Sequence, residues 1–193
     1  MIRPAADLAT APADAEALRE KAALLARPQT HGPAVSTVEV VETHMSMLFL
    51  AGPVVYKLKK PVAYPFLDYS TLAARSRSCR DEVRLNRRLA PDVYLGVATI
   101  TREADGSLAL DGTGEPVDWL VRMRRLPAGR TLERLIVDGT VTTVQVDAVA
   151  DVLARFYAAA ERSRISADRY VEQLRGEHAQ CRRVLGKLGD GAR

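Results

Sequence analysis

Three lysines stand within four residues of a stretch that is otherwise typical of a β-strand. The sequence VVYKLKKPV places Lys57, Lys59 and Lys60 after two valines and a tyrosine. Side chains alternate between the two faces of a strand, so Lys57 and Lys59 share one face and Lys60 lies on the other. Such a stretch indicates either a solvated edge or a strand that points one ammonium group into an anion-binding site.

A carboxylate in the following helix can pair with one of these lysines. A helical wheel through residues 71–89, at about 100° per residue, puts Glu82 inside the apolar stripe and most of the arginines opposite. The stripe comprises Leu72, Cys79, Val83, Asn86 and Leu89. A buried carboxylate is costly unless a cation pairs with it. We therefore expect Glu82 to pair with Lys57 or Lys59; a purely structural pair and three solvated lysines stay open as well.

Periodicity along the chain predicts an α+β fold. Strand patterns at 37–43, 46–52 and 53–60 indicate an antiparallel meander. Further strands are predicted at 97–103, 107–112 and 117–126, and helices at 13–26, 71–89, 131–137, 144–164 and 167–188. One helix inserted among strands and then only helices is an α+β plan, unlike the alternation of a doubly wound sheet.

The composition is that of a folded, weakly basic chain of 193 residues, with 47% hydrophobic residues and a net charge of +4. Two cysteines outside any CxxC pair argue against a disulfide framework and a zinc site. The carboxylates of Asp7, Asp14 and Glu16 interrupt any signal peptide, and no apolar run reaches transmembrane length. We therefore expect a cytoplasmic protein with no membrane partner.

Several separated blocks resemble one protein family. VVYK places Val55 two residues before Lys57, as V-A-I-K does in protein kinases. WLVRMRRLPAGRTLERL resembles the strand, hinge and short helix that link the two lobes of aminoglycoside-phosphotransferase-like kinases. VETHMSMLFLAGPVVYKLKKPV and FLDYSTLAARSRSCRDEVRLNRRLAPDVYLGV look like the N-terminal part of a bacterial group of that family, in many of which a P-loop ATPase or small-molecule-kinase domain follows. The resemblance covers residues 38–156.

The resemblance implies a fold, a cofactor and partners. The fold would be a protein-kinase-like small lobe, an antiparallel sheet with one long helix, followed by the first helices of an incomplete large lobe. The domains would be an N-terminal helix and linker (1–35), the small lobe (36–126), and a hinge with a partial large lobe (127–193). The cofactor would be ATP with magnesium, and the acceptor a small hydroxylated molecule, aminoglycoside-like or sugar-like. A downstream P-loop domain would be a further partner.

The same resemblance implies roles for individual residues. Lys57 would bind phosphate and Glu82 would orient Lys57. The backbone from Met123 to Arg125 would receive the adenine. No glycine-rich loop joins the first two strands, so Ser46, with its neighbours in ETHMS, would have to cover the phosphates.

The catalytic loop of these kinases is absent from the sequence. That loop has the form H-G-D-x4-N, in which the Asp acts on the acceptor hydroxyl and the Asn holds magnesium. No such motif occurs here, so the sequence predicts neither a catalytic residue nor a magnesium ligand. The chain is then either the nucleotide-binding part of a longer phosphotransferase or a non-catalytic kinase-like binding or regulatory module. The gene sequence beyond Arg193 would distinguish the two.

Arginines at 75–88 and 122–130 prompt a third hypothesis, nucleic-acid binding. These arginines have no interleaved aromatic residues, and aromatic residues make up only 5% of the chain. Single-stranded and RNA-binding surfaces usually stack bases on aromatic side chains. A solvated helix face explains most of the arginines, so we expect no nucleic-acid partner.

Overall fold

The computed structural model describes residues 12–64 and 66–190, so Asp7 of the N-terminal stretch lies outside the described residues. The helices are α1 (Pro12–Leu25), α2 (Leu72–Asn86), α3 (Leu132–Val137), α4 (Thr143–Ala159) and α5 (Ala167–Asp190). The strands are β1 (Val38–Glu42), β2 (Ser46–Ala51), β3 (Val54–Lys59), β4 (Ala63–Tyr64), β5 (Leu67–Asp68), β6 (Tyr94–Arg102), β7 (Leu108–Leu110) and β8 (Glu115–Arg124). The predicted α+β class is confirmed.

Six strands form one antiparallel sheet in the order β1-β2-β3-β8-β6-β7. The first three strands are neighbours in sequence order, which confirms the predicted meander. Strand β8, the last strand of the described residues, lies between β3 and β6 and pairs with both. Helix α2, which joins β3 to β6 through short β4 and β5, therefore packs beside the centre of the sheet.

Each face of the sheet carries its own apolar cluster, because side chains alternate along the central strands. Leu120 of β8 is buried on one face, with Leu25 of α1 and Leu58 of β3. The next residue, Val121, is buried on the other face, with Cys79 and Val83 of α2. Helix α1 thus covers one face and α2 covers the other.

The sequence and the structure differ mainly where tertiary contacts override local signals. Strand β6 begins at Tyr94 rather than at residue 97, because Tyr94 packs against the α2 cluster and its backbone pairs with Met123. Leu89, predicted on the buried stripe, lies three residues beyond the end of α2 and is 44% exposed. Strands β4 and β5, which lie outside the predicted elements, pair antiparallel between β3 and α2.

The chain divides into two compact units, one ending at Val152 and the other beginning at Leu153. The sheet, α1, α2 and α3 belong to the first unit, and α5 belongs to the second. Across residues 12–64 and 66–190, no helix is both long and apolar enough to cross a bilayer.

Replacing Leu25 with alanine should test whether α1 is integral to the sheet. The Leu25 side chain has no exposed surface, so its removal should cost about 2–5 kcal/mol of unfolding free energy. Urea unfolding followed by circular dichroism measures this loss. Leu89→Ala is the matched control and should cost well under about 1 kcal/mol; equal losses in the two variants would contradict the packing of α1.

Candidate functional site

Strand β3 presents two lysines on the face that α2 covers. Tyr56 and Leu58 belong to the cluster beneath α1, so Lys57 and Lys59 point to the opposite face. Lys60, just beyond the strand, forms an ion pair with Glu42 of β1 instead. The predicted division of the three lysines is therefore confirmed.

Helix α2 brings Glu82 over these lysines. The helix begins after Thr71, whose hydroxyl oxygen accepts a hydrogen bond from the Ala74 N–H at 3.1 Å. Cys79 and Val83 then anchor it against Val121 of β8. Glu82 lies beside Val83 on the helix, so the same packing that buries Val83 fixes the position of the carboxylate.

Glu82 binds both lysines, one through each carboxylate oxygen. Lys57 Nζ donates to Oε1 at 2.8 Å, and Lys59 Nζ donates to Oε2 at 2.6 Å. The side chain of Lys57 is 28% exposed, whereas those of Lys59 and Glu82 are 1% and 16% exposed. Glu82 thus pairs with both of the lysines that were predicted as alternatives, and Lys57 is the more exposed of the two.

The charges in this cluster stabilise one another. Burial alone would raise the pKa of Glu82, but hydrogen bonds and charge from Lys57 and Lys59 outweigh it and hold the pKa below its usual value. Burial would likewise lower the pKa of Lys59, yet Glu82 outweighs it and the pKa is raised. Glu82 and Lys59 are therefore both ionised near neutral pH. With Lys57 counted at its formal charge, the cluster of two lysines and one carboxylate carries a net charge of +1.

Two further side chains surround Lys59 without adding charge. The hydroxyl of Tyr69 accepts a hydrogen bond from Lys59 Nζ at 3.4 Å, and Nζ lies 4.7 Å from the centre of its ring. Burial raises the pKa of the Cys79 thiol to about 12, so this thiol stays protonated and neutral. Neither group cancels the positive charge of the cluster.

Ser46 lies on the same face as the lysines. In the β2–β3 register it stands directly opposite Lys59, and paired residues point to the same side of a sheet. Its backbone N–H donates to the Thr43 hydroxyl at 3.1 Å, and its carbonyl accepts the Thr43 N–H at 2.9 Å, which closes the β1–β2 turn. Ser46 itself is buried, whereas His44 and Met45 at the tip of the turn are exposed.

A cavity of about 500 Å³ opens at the other end of this face. Leu50 of β2 lines the cavity and stands opposite Val55, which precedes Lys57 by two residues on the same side of β3. The remaining lining residues are Glu39, Gly52, Pro53, Arg125, Leu126, Pro127 and Ala128. Two residues of a strand span about 7 Å, so the cavity and Lys57 are neighbours on one surface.

The backbone predicted to receive adenine is mostly occupied. Met123 lies inside β8 and pairs with Val55 and Tyr94, and its side chain packs in the α2 cluster. The Arg124 N–H donates to the Val93 carbonyl and the Arg125 N–H to the Pro53 carbonyl, each at 2.8 Å. In the described part of the chain, the Arg125 C=O and the N–H and C=O of Leu126 have no hydrogen-bond partner. The first free N–H is therefore that of Leu126, one residue beyond the predicted range.

The side chain of Arg125 has a separate role. Its Nη2 donates to Oε2 of Glu39 at 2.7 Å, and both side chains are largely exposed. This ion pair joins the end of β8 to β1 at the rim of the cavity. Arg125 therefore borders the cavity without contributing a free N–H from its backbone.

A second buried ion cluster was not predicted from the sequence. Asp118 of β8 accepts hydrogen bonds from Arg75 Nε of α2 and Lys21 Nζ of α1, both at 2.8 Å, and all three residues are buried. Arg75 also donates to the carbonyls of Tyr69 and Ser70. The only sequence signal was the single aspartate within the apolar strand VDWLV, which the strand pattern alone could not pair with either cation.

Comparison with known proteins finds relatives that share sequence but name no activity. Over 139 residues the chain is 38% identical to an uncharacterised protein of Mycobacterium bovis and to uncharacterised proteins of two Mycobacterium tuberculosis strains. The matched stretch is 72% of this chain and 26% of each relative, so the chain spans about a quarter of the length of these curated relatives. No protein-family profile matches the chain, and no solved structure matches it significantly.

Proposed function

We propose that this chain binds ATP as the small lobe of a protein-kinase-like phosphotransferase of the aminoglycoside-phosphotransferase type. The observation that carries the proposal is the 2.8 Å ion pair between Lys57, on the third strand, and Glu82, on the helix that follows it. In protein kinases the third strand supplies the lysine that binds the α- and β-phosphates, and a glutamate of the next helix pairs with that lysine.

Lys57 has the geometry that phosphate binding needs. An ammonium group has three N–H donors, and Glu82 uses one of those of Lys57. The side chain is partly exposed, and its Nζ makes no other hydrogen bond to the described residues, so two donors are left for a ligand. A phosphate can therefore bind Lys57 while the ion pair with Glu82 stays intact.

The cavity beside Leu126 suits the adenine ring. Leu50 provides an apolar wall, and the Leu126 N–H and C=O offer a donor and an acceptor at the edge. Ligand sites commonly combine such apolar walls with a few fixed polar groups. The short separation between this cavity and Lys57, along one face of β3, matches a ligand with a flat base at one end and phosphates at the other.

The rest of the reaction rests on the family resemblance. The acceptor would be a small hydroxylated molecule, aminoglycoside-like or sugar-like. Magnesium bound with ATP would offset the phosphate charge. Within the described ranges, no group of three or more His, Cys, Asp or Glu residues could hold a metal, so we assign no magnesium ligand to this chain.

Lys57→Ala is expected to weaken the binding of ATP, supplied with Mg²⁺, by about 10- to 100-fold in isothermal titration calorimetry. A hydrogen bond to a charged group contributes about 1.5–3 kcal/mol, and 1.4 kcal/mol is a factor of ten. The fold should survive, because Lys59 still neutralises Glu82. Thermal unfolding of the variant checks this.

Lys60→Ala is the matched control. It removes a neighbouring lysine whose partner is Glu42 on the other face, and ATP affinity should change by less than about twofold. Equal affinities in the wild type and Lys57→Ala would refute the role of Lys57. No binding by the wild type would refute the ATP proposal itself.

A further inference from the structure

We propose that Lys59 sets the anion affinity of this site by supplying the charge that Glu82 would otherwise cancel, although Lys59 does not itself touch the ligand. The inference rests on the proposed function, because the anion is the phosphate chain of ATP. It assigns Lys59 as a positioning and charge-setting residue, distinct from Lys57, which contacts the phosphate.

The geometry separates the two lysines. Lys59 lies beneath the surface, 1% exposed, held by Glu82 Oε2 and Tyr69. Lys57 lies above it at Glu82 Oε1 and reaches solvent. A ligand that approaches from solvent can contact Lys57 but not Lys59.

Lys59 affects phosphate binding through the net charge of the Lys57–Lys59–Glu82 cluster. A lone Lys57–Glu82 pair would be neutral overall and would attract a phosphate only through local hydrogen bonds. With Lys59 present the cluster keeps one uncancelled positive charge, and charges act strongly where water is excluded. Asp118, a further buried carboxylate that contacts α2, is already held by Arg75 and Lys21, so it does not offset this charge.

A purely structural role for Lys59 makes a different prediction from a charge-setting role. If Lys59 merely holds Glu82 in place, its loss should affect neutral and charged ligands alike. If it sets the charge of the site, its loss should affect ATP but not adenosine. Removing the negative charge of Glu82 at the same time should then restore ATP binding, because the cluster returns to +1 through Lys57 alone.

The test measures ATP with Mg²⁺ and adenosine by isothermal titration calorimetry with the 193-residue chain. We expect Lys59→Met to weaken ATP binding by about tenfold and to leave adenosine binding within about twofold. We expect Lys59→Met/Glu82→Gln to bind ATP within about threefold of the wild type, since the amide introduced at position 82 still offers Lys57 an oxygen acceptor.

Several outcomes would overturn the inference. The inference fails if Lys59→Met leaves ATP binding unchanged, if it weakens ATP and adenosine binding equally, or if the double variant does not recover ATP binding. In each of these cases the proposed function still holds, provided that the wild type binds ATP. Failure of the wild type to bind ATP would overturn both. If Lys59→Met does not fold, Lys59→Gln keeps a donor for Glu82 without the charge, and the same outcomes apply.

Discussion

Replacing Asp118 with alanine is expected to lower the unfolding free energy by about 3–5 kcal/mol. Asp118 is the shared partner of Arg75 and Lys21, and its side chain is only 3% exposed. Without it, two cations remain buried with no carboxylate, and the cost of desolvating them is no longer compensated. A typical domain has about 5–15 kcal/mol of stability in total, so this single change removes a large share.

Urea unfolding followed by circular dichroism measures the effect of Asp118→Ala, and Glu20→Ala is the matched control. Glu20 neighbours Lys21 on α1 and also pairs with the sheet, through Arg102, but that pair is exposed. Exposed pairs contribute about 0–1 kcal/mol, so the control should stay close to the wild type. A loss no larger than the control's would mean that the buried cluster does not hold α1 and α2 to β8.

Replacing Glu82 with glutamine should destabilise the chain by about 3 kcal/mol at neutral pH, because Lys57 and the buried Lys59 then share one neutral amide. The pKa of Glu82 lies below its ordinary value of 4.5 in the folded chain. The stabilisation by the ionised carboxylate is therefore complete above that ordinary value and is lost as the pH falls through the lower, folded-state pKa. The difference between the wild type and Glu82→Gln should shrink accordingly in acid.

Urea unfolding of both proteins from about pH 7 down to about pH 4 and below tests the sign of this dependence. Glu42→Gln serves as the control, since Glu42 pairs with Lys60 and its own side chain is 63% exposed. The control should show only a small difference from the wild type at every pH. A Glu82→Gln difference that grows as the pH falls would contradict the ion cluster.

Local periodicity predicted that Glu82 pairs with a lysine of β3, and the family resemblance favoured Lys57. Strand alternation put Lys57 on one face, and the helical wheel put Glu82 on the face that meets it. The same reasoning could not choose between Lys57 and Lys59, because both point the same way and a carboxylate has two oxygens. In the structure each of the two lysines donates to a different oxygen of the Glu82 carboxylate.

The features that could not be predicted from the sequence are those that depend on which strands become neighbours in the sheet. The Asp118 cluster requires α1 and α2 to meet at β8, and no local pattern encodes that meeting. The start of β6 at Tyr94 and the use of the Arg124 and Arg125 N–H groups likewise depend on strand pairing. The first free hinge amide therefore shifted from the predicted residues to Leu126.

The central position of β8 has a consequence for how the chain folds during synthesis. Lys57 pairs with Val121, so β1, β2 and β3 emerge from the ribosome well before the strand that completes the sheet beside them. Pairing between distant segments slows folding, because the intervening chain must first be ordered. Until β8 is made, α1 and α2 lack Asp118, the residue that joins them. The nascent meander also exposes the unpaired edge of β3, and such edges bind chaperones or aggregate.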